Sequence, residues 1–390
     1  MRRKKTVRVD ARQVHAHARE WIEQKLGIEG HGRKCTSDTI ISILLVAASR
    51  LSSVFAVCRD ISGAPSDQAL RDALFKTLPG ITQLEQQINV TLTWRMPRRV
   101  LMARRALAID VVLIPYYGEP AEDPAELYHS KQKAGTTKFH GYATACIVHH
   151  GMRYTVALTR VSKGEKMPAV TKRLIEQTRA TGLKIKVLLA DRGFFTVAVI
   201  KYLQQADVPF VMPVAIRGLK AKSQARRDAG LRRFQKQKAG WYRYTFHGKN
   251  QPTISVCVCV KRPFHRKAGR RKVKRYLYGA WHYKAAPCQV RSLYRTRFGI
   301  ETSYRQVNQS RIRTCSRDPR LRLLFFALGE ILRNVWVWLH FTYFADSRGE
   351  SPAIRLERLR YRRMLEWITA VITTDLHDGS LPATEWQPGS

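Results

Sequence analysis

Short apolar runs between residues 106 and 214 constrain the fold of this chain more than any other feature of its sequence. The first reads ALAIDVVLI and covers Ala106–Ile114, and four more follow at His140–His149, Arg153–Val161, Lys184–Ala190 and Pro209–Val214. Their lengths and their content of β-branched and aromatic residues are typical of strands. We therefore predict that these five runs pair into a sheet.

Two helices are predicted among these strands. Pro168 begins a helix that ends near Thr181, where Gly182 closes it, and a second helix is predicted over Thr196–Ala206. The order is strand, strand, strand, helix, strand, helix, strand. This order predicts an α/β fold, in which helices flank a mixed sheet.

The first hundred residues are predicted to be helical. Thr36, Ser37 and Asp38 are candidate N-caps for a helix in the apolar run Ile40–Val57. This run is predicted to break near Arg50–Ser53, where Ser53 would cap a second helix through Ile61, and Ser66 is a candidate cap for a helix from Asp67 to about Leu78. A turn that contains glycine and proline separates the last two helices. This pattern is compatible with a helix-turn-helix that reads DNA and, equally, with an ordinary helical bundle.

A basic segment interrupts the α/β pattern at residues 217–286. Strands are predicted at Gly240–His247, Pro252–Val260 and Val273–Tyr283, so that the segment is β-rich. A dense group of cations lies between the last two strands and includes Lys261, Arg262, Arg270, Arg271 and Lys272.

The last part of the chain is predicted to be helical. Residues 321–345 are the most apolar stretch, but Arg322, Glu330 and Arg333 interrupt it, which favours a buried helix over a membrane span. A basic helix is predicted over Pro352–Ile372, with a polar end after it. We expect no membrane partner.

The net charge points to the partner. The 390 residues contain 70 Lys and Arg against 29 Asp and Glu, a formal charge of +41. Such an excess repels itself and favours a polyanion, for which nucleic acid is the first candidate. Seven cysteines lack the spacing of a zinc site, which favours a reduced, cytoplasmic protein.

Three acidic residues are candidates for a catalytic site. Asp110 lies inside the first apolar run, Asp191 follows the fourth, and Glu301 lies in a predicted helix. If the first and fourth strands are neighbours, both aspartates leave the sheet at one place. Clustered carboxylates raise one another's pKa unless cations lie among them, and Mg²⁺ or Mn²⁺ suits such oxygen ligands.

The glutamate belongs to the stretch Tyr294–Asn308, which reads YRTRFGIETSYRQVN. As one helix, this stretch would bring Tyr294, Arg297, Glu301 and Arg305 onto one face, since residues three and four apart are neighbours. Glu301 would then lie between two arginines.

These motifs resemble the DDE transposases of prokaryotic insertion sequences, which have an RNase H-like core. More narrowly, the chain resembles the insertion-sequence-four group, whose signature is Tyr-x2-Arg-x3-Glu-x6-Lys. Here it reads Tyr294, Arg297 and Glu301, with Asn308 where lysine is usual. Asp-Arg-Gly-Phe-Phe after the fourth strand and a β-rich insertion before the glutamate also match.

The resemblance implies a role for each of these residues. Asp110, Asp191 and Glu301 would be the catalytic residues and would hold two Mg²⁺ ions, or Mn²⁺ in their place. The remaining candidates would bind DNA: Tyr294, Arg297, Arg305, Asn308, Trp281 and the cations Lys261, Arg262, Arg270, Arg271 and Lys272. Trp281, with Trp241 as a second candidate, would hold a flipped base.

The implied activity is cut-and-paste transposition. The chain would cut transposon ends at their terminal inverted repeats, through a hairpin or by another second-strand route, and join them to target DNA as a homodimer. It would act at the nucleoid of a prokaryotic cell. The alternatives are an RNase H-fold nuclease or resolvase without strand transfer, and a domesticated DNA-binding protein without catalysis.

The resemblance covers roughly residues 100–345 and fits the first hundred only loosely. Together with the sequence patterns it predicts five parts of the chain. They are a helical DNA-binding domain (1–100), the first part of the catalytic core (101–216), the β-rich basic insertion (217–286), the core completion with the glutamate helix (287–345) and a basic helical tail (346–390).

Overall fold

The computed structural model describes most of the chain. The described residues are 7–61, 63–119, 126–148, 153–216, 230–262, 264–265, 270–271, 273–344, 354–375 and 383–386.

Thirteen strands and twelve α-helices are present in these residues. The strands are β1 (Val7–Asp10), β2 (Arg105–Pro115), β3 (Tyr128–Lys133), β4 (Thr136–Ile147), β5 (Thr155–Val161), β6 (Ile185–Ala190), β7 (Phe210–Pro213), β8 (Gly240–Thr245), β9 (Thr253–Lys261), β10 (Phe264–His265), β11 (Arg270–Arg271), β12 (Lys274–Trp281) and β13 (Ala383–Trp386). The helices are α1 (Ala11–Leu26), α2 (Ser37–Ser49), α3 (Val54–Asp60), α4 (Asp67–Thr77), α5 (Ile81–Thr93), α6 (Arg98–Leu101), α7 (Met167–Ala180), α8 (Val197–Gln205), α9 (Pro287–Thr296), α10 (Phe298–Val307), α11 (Pro319–Tyr343) and α12 (Tyr361–Thr374).

Nine of the described strands form one mixed sheet. Their order is β3–β4–β2–β6–β7–β12–β9–β8, and β5 pairs with β4. The strand β2 is antiparallel to β4 and parallel to β6, and β6 is parallel to β7. The predicted mixed sheet with flanking helices is confirmed, and all five predicted strands of residues 106–214 belong to it.

The strands of the basic insertion extend this sheet instead of forming a separate one. The strand β12 pairs antiparallel with β7, and β9 and β8 follow it outward. The reason is that β7 would otherwise be an edge strand whose backbone N–H and C=O groups lack partners. Only the two-residue strands β10 and β11 pair separately among the described residues of the insertion.

The N-terminal helices begin where their caps predict. The hydroxyls of Thr36, Ser53 and Ser66 accept hydrogen bonds from the backbone N–H groups three residues later. Such a bond satisfies one of the free donors of the first turn, and its loss costs about 1 kcal/mol. The helix α5 buries Leu84, Ile88 and Leu92 against the rest of the fold.

The stretch Tyr294–Asn308 differs from its prediction, because it contains two helices instead of one. The backbone N–H groups of Arg297 and Ile300 bond to carbonyls three residues earlier, at 3.0 and 2.8 Å. These shorter-range bonds tighten the backbone at Arg297 and separate α9 from α10. The following Gly299 packs so closely on Arg153 that an added Cβ would lie 2.7 Å from Arg153 Nε.

The C-terminal region also differs from its prediction in two places. The basic helix α12 begins at Tyr361, because the preceding residues are held by α11: the carbonyl of Leu359 accepts from Trp336 Nε1, and Arg355 N–H donates to His340 Nδ1. The strand β13 pairs with β1 and so joins the two ends of the chain.

Sequence patterns do not predict β3, whose residues are mostly polar and exposed.

The long helix α11 lies in the centre of the fold. By length and composition it alone among the described helices could cross a membrane, yet its apolar window is completely buried within the protein. Its polar residues are buried too. Asn334 donates to the carbonyls of Leu92 and Thr155 and accepts from Thr155 N–H at 2.7–3.0 Å, while Glu330 accepts from the Thr155 hydroxyl at 2.7 Å.

The contacts of Asn334 predict a large stability effect. Asn334→Ala leaves three buried backbone groups without partners, and each such group costs about 1–3 kcal/mol. We expect the free energy of unfolding in urea to fall by about 3 kcal/mol or more. The control is Asn308→Ala, which removes an exposed amide and should change stability by less than about 0.5 kcal/mol. Equal unfolding midpoints for the two variants would contradict this role.

Candidate active site

Asp110 and Asp191 lie side by side at one edge of two parallel strands. In the register of β2 and β6, Ile109 is opposite Ala190, so the next residue on each strand is an aspartate. The carboxyl ends of neighbouring parallel strands meet at the same edge of a sheet, where sites of α/β folds are commonly found. The predicted neighbourhood of the two aspartates is therefore present.

A tight turn orients the Asp191 side chain. Its Oδ1 accepts hydrogen bonds from the backbone N–H groups of Gly193 and Phe194, at 2.7 and 3.3 Å. An added Cβ at Gly193 would lie 2.9 Å from the same oxygen, so this close approach needs glycine. The turn fixes one carboxylate oxygen by backbone donors.

Arg297 connects the helical glutamate to the sheet. Its guanidinium donates to Asp110 Oδ2 at 3.4 Å, to Glu301 Oε1 at 2.8 Å and to the hydroxyl of Tyr294 at 3.1 Å. The Arg297 side chain is only 7% exposed, whereas that of Glu301 is 43% exposed. A buried guanidinium with these acceptors brings α10 against the middle of β2, at Asp110.

The electrostatics of Asp110 reflect this surrounding. The pKa of Asp110 is raised to about 6. Burial is the largest cause and the carboxylates of Asp191 and Glu301 add to it, while the Arg297 charge and a hydrogen bond from Val111 N–H lower the pKa. Asp110 and Glu301 share one bonded guanidinium, so a further cation would reduce the repulsion among the three carboxylates.

The donor set fits a hard divalent cation in its chemistry. The three acidic side chains offer carboxylate oxygens, the ligand type of Mg²⁺ and Mn²⁺. Within the part of the chain that the structure describes, no three His, Cys, Asp or Glu side chains are grouped closely enough to hold a metal ion. At this site the Arg297 guanidinium forms salt bridges with both Asp110 and Glu301.

Tyr304 supports the site from the next turn of α10. Its hydroxyl forms hydrogen bonds with Thr144 Oγ1 at 2.7 Å and with the backbone carbonyl of Asp110 at 3.4 Å. Thr144 is opposite Asp110 in the register of β4 and β2. Tyr304 therefore holds α10 at the level of Asp110.

A cationic cleft of about 590 Å³ opens beside the acids. Sequence reasoning did not single out most of its charged residues, although Arg291 and Arg295 of α9 lie four residues apart, about one helical turn, shortly before Arg297. Arg291 lies over the ring of Tyr276, with its guanidinium carbon 4.3 Å from the ring centroid. The residues that matter for its chemistry are Asp191, Arg275, Arg291, Arg295, Arg297 and Phe298.

Phe298 is a further residue of this cleft that sequence reasoning missed. It is the first residue of α10, and 49% of it is exposed although it is large and apolar. Its position directly after Arg297 and one helical turn before Glu301 was the available signal. An exposed aromatic ring beside a cationic cleft is suited to stack on a base.

The other predicted DNA contacts divide into two groups. Tyr294 is buried, with its ring 5.1 Å from that of Tyr278, and acts on the site through Arg297. Arg305 and Asn308 are exposed toward the far end of α10 and beyond it.

Trp281 is not brought to the acidic edge. It is opposite Phe210 at the start of β7, whereas Tyr278 is opposite Pro213 at the end near Asp191. Three residues of a strand separate these positions by about 10 Å. Trp281 stacks instead on His282, with ring centroids 3.5 Å apart. Trp241 donates its indole N–H to Ala285 O.

The basic run of the insertion is described only in part. Lys261 and Arg262 are exposed at the end of β9. For Arg270 and Arg271 the described part is the backbone, as strand β11, while Lys272 lies outside the described residues.

Comparison with known proteins agrees with this geometry. The family described as "Transposase DDE domain" matches residues 102–331, which include all three acids. A piggyBac transposase, solved by cryo-electron microscopy as a synaptic complex with hairpin DNA, has a similar fold. The TM-score is 0.54 at 13% sequence identity, with 94% of this chain and 80% of that chain covered. No curated protein matches the chain in sequence.

The family match covers more than half of the 390 residues. Transposases of this family act on DNA and generally use divalent metal ions. The mixed sheet with its flanking helices is consistent with an RNase H-like transposase fold. The chain therefore belongs to the DDE transposase family and is a DNA-cleaving transposase.

Proposed function

We propose that this transposase carries out cut-and-paste transposition, with Asp110, Asp191 and Glu301 as its catalytic residues. The observation that supports this most is the bonded series Asp110–Arg297–Glu301 beside Asp191. It joins residues from β2, β6 and α10 at one edge of the sheet. The spacing of Tyr294, Arg297 and Glu301 supports membership in the insertion-sequence-four group, with Asn308 in place of its lysine.

The three acids would hold two Mg²⁺ ions, for which Mn²⁺ could substitute. Two such ions, when bound, activate an attacking oxygen and stabilise a leaving oxygen in phosphoryl transfer. The side chains of this protein orient those ligands. Backbone N–H groups orient the Asp191 carboxylate, and Arg297 orients that of Glu301. Tyr304 positions α10 beside Asp110 through its hydrogen bond to the Asp110 carbonyl.

Arg297 would also bind the substrate if DNA replaces the contacts that its Nη1 and Nη2 make with Asp110 and Glu301 in the free protein. Its planar guanidinium can fork onto two phosphate oxygens, which a lysine cannot do. Its Nε is engaged by Tyr294, so the orientation of the fork is fixed before DNA arrives. The cationic cleft continues this surface through Arg291, Arg295 and Arg275.

The remaining contacts of the DNA would come from both sides of this centre. The helices of residues 1–100 would bind transposon ends, and the exposed Lys261 and Arg262 would contact the phosphate backbone together with the rest of the basic insertion. Arg305 and Asn308 would contact DNA beyond the scissile phosphate. Two ends must meet before joining, so we expect a homodimer on DNA, at the nucleoid of a prokaryotic cell.

If second-strand cleavage uses a hairpin, an aromatic residue must hold a flipped base. Phe298 has the better position for this task than Trp281, because it lines the cleft beside Asp191 and is half-exposed. Trp281 belongs to the opposite end of its strand and stacks on His282.

The central test is whether cut ends are joined. Purified protein with Mg²⁺ and DNA that carries the inverted repeats flanking its gene should nick the repeat ends and join them to a second duplex. Gel electrophoresis of labelled ends measures both steps. Cleavage products that never join would indicate a nuclease or resolvase, and no cleavage with intact binding would indicate a domesticated DNA-binding protein.

Glu301→Gln separates catalysis from DNA binding. The amide is a poorer metal ligand, so we expect cleavage to fall by more than about a hundredfold while DNA affinity stays within a few-fold. Glu176→Gln is the matched control, because Glu176 is 60% exposed on α7 and should leave cleavage unchanged. Full cleavage by the Glu301 variant would remove Glu301 from the site.

Phe298→Ala and Trp281→Ala test which aromatic ring holds a base. Base stacking is worth about 1–3 kcal/mol, so the Phe298 variant should lose second-strand cleavage by roughly 5- to 150-fold. First-strand nicking should change less, and Phe298→Trp should restore the second cut. The opposite ranking of the two alanine variants would return the role to Trp281.

A further inference from the structure

A second cationic pocket, of about 200 Å³, lies beyond the acidic site at the end of β2. We call it the arginine pocket and define it by Arg311, Arg313, Arg322 and His140. The first two arginines belong to the segment between α10 and α11, and Arg322 lies in the first turns of α11. Tyr142, Phe325 and Phe326 supply an apolar wall.

The described lining of this pocket contains three arginines and no Asp or Glu. No described carboxylate forms a salt bridge with Arg311, Arg313 or Arg322. Arg322 is buried, and it donates to the carbonyl of Ser316 and lies over the ring of Tyr116 at 4.5 Å. These contacts explain why Arg322 can be buried. No comparable contact is described for the side chains of Arg311 and Arg313.

The buried imidazole of His140 is also incompletely bonded. It is 6% exposed, and its Nε2 has no hydrogen-bond partner in the described protein. Burial and the Arg322 charge lower its pKa to about 3. Burial likewise lowers the pKa of Arg311 and Arg322, and Arg313 adds to the effect on Arg311. A bound anion would relieve this repulsion, because it accepts from guanidinium groups that are no longer hydrated.

The arginine pocket lies on the same face of the sheet as Asp110. Alternate residues of a strand share a face, so Asp110, Val112 and Ile114 lie in one row on β2. On β4, Tyr142 is opposite Val112 and His140 is opposite Ile114. Four residues of a strand span about 13 Å, a distance that roughly four nucleotides of a B-form strand cover along the axis.

We propose that the arginine pocket binds a phosphate group of a DNA strand that also passes the acidic site. The proposal rests on the proposed function, because the strand is taken to be the transposase's substrate. Arg311 and Arg313 present forked donors to phosphate oxygens. Arg311 is half-buried, which limits the access of water to its contact, whereas Arg313 is exposed. The pocket would thus add a charged phosphate contact beyond the end of α10. Asn308, which lies at that end, is uncharged and cannot supply one.

The test measures DNA binding without metal, so that cleavage does not enter. The probe is a fluorescent duplex of random sequence, since binding to phosphates does not depend on sequence. The double variant Arg311→Ala/Arg313→Ala should bind about tenfold more weakly than unmodified protein. Its logarithmic salt slope should fall by about one for each phosphate that the variant no longer binds. Arg317→Ala is the matched control, because this arginine is exposed in the same segment outside the pocket.

Equal affinity and slope in the double variant and the Arg317 control would overturn the proposal. A free anion is the other source of the same chemistry. Inorganic phosphate could raise the melting temperature of the unmodified protein and of the Arg317 control but not of the double variant. If the double variant nevertheless binds DNA as tightly as the control, the DNA assignment is overturned and the pocket binds a free anion.

A second variant covers the case in which the alanine pair does not fold. Arg311→Lys/Arg313→Lys keeps both charges but removes the fork, so affinity should fall several-fold with little change in slope. Unchanged affinity in this variant would overturn the proposal. These outcomes concern binding alone, whereas absence of cleavage by the unmodified protein would count against the proposed function.

Discussion

The buried guanidinium of Arg297 is the interaction on which the arrangement of the site depends. Burying it removes its hydration, and hydrogen bonds to Tyr294, Asp110 and Glu301 compensate for that loss. Asp110 and Arg297 are 187 residues apart in sequence. One side chain therefore links the sheet to the helix that carries the glutamate, and it also provides the positive charge between two acids.

The helix α11 holds that glutamate helix in place from behind. Its Arg333 donates to Gln306 of α10 and to the carbonyl of Arg153, while Asn334 binds the backbone of Thr155 in β5. An added Cβ at Gly329 would lie 3.0 Å from Val307, so glycine permits the close approach of the two helices. The polar residues that interrupt this apolar helix are thus its connections to the sheet and to α10.

Cationic groups surround the acids on two sides. The cleft beside Asp191 contains the arginines of α9, and the arginine pocket lies on the other side, along β2. Such an arrangement suits a polyanion that passes over the acids, since each arginine can neutralise a phosphate. The net charge of +41 indicates such a partner in general, and the fold concentrates part of that charge near the site.

The confirmed predictions of helices and strands are those that rest on local sequence patterns. The caps at Thr36, Ser53 and Ser66 depend on residues within one helical turn, and the apolar runs of β2, β4, β5, β6 and β7 depend on strand period and length. The short-range bonds at Arg297 separate α9 from α10 within the helix predicted over Tyr294–Asn308, and Gly299 packs on the Arg153 side chain directly after this break.

The sequence by itself determined most strand and helix types, the position of Asp110 within one strand and of Asp191 after another, and the Tyr294–Arg297–Glu301 spacing. Only the tertiary structure decided that β2 and β6 are neighbours, that the insertion extends the sheet through β12, and that Trp281 lies away from the acids. The physical reason is the separation along the chain over which each kind of interaction acts. Caps and periodicity act over a few residues, whereas strand order follows from how distant segments together bury apolar surface and pair their edges.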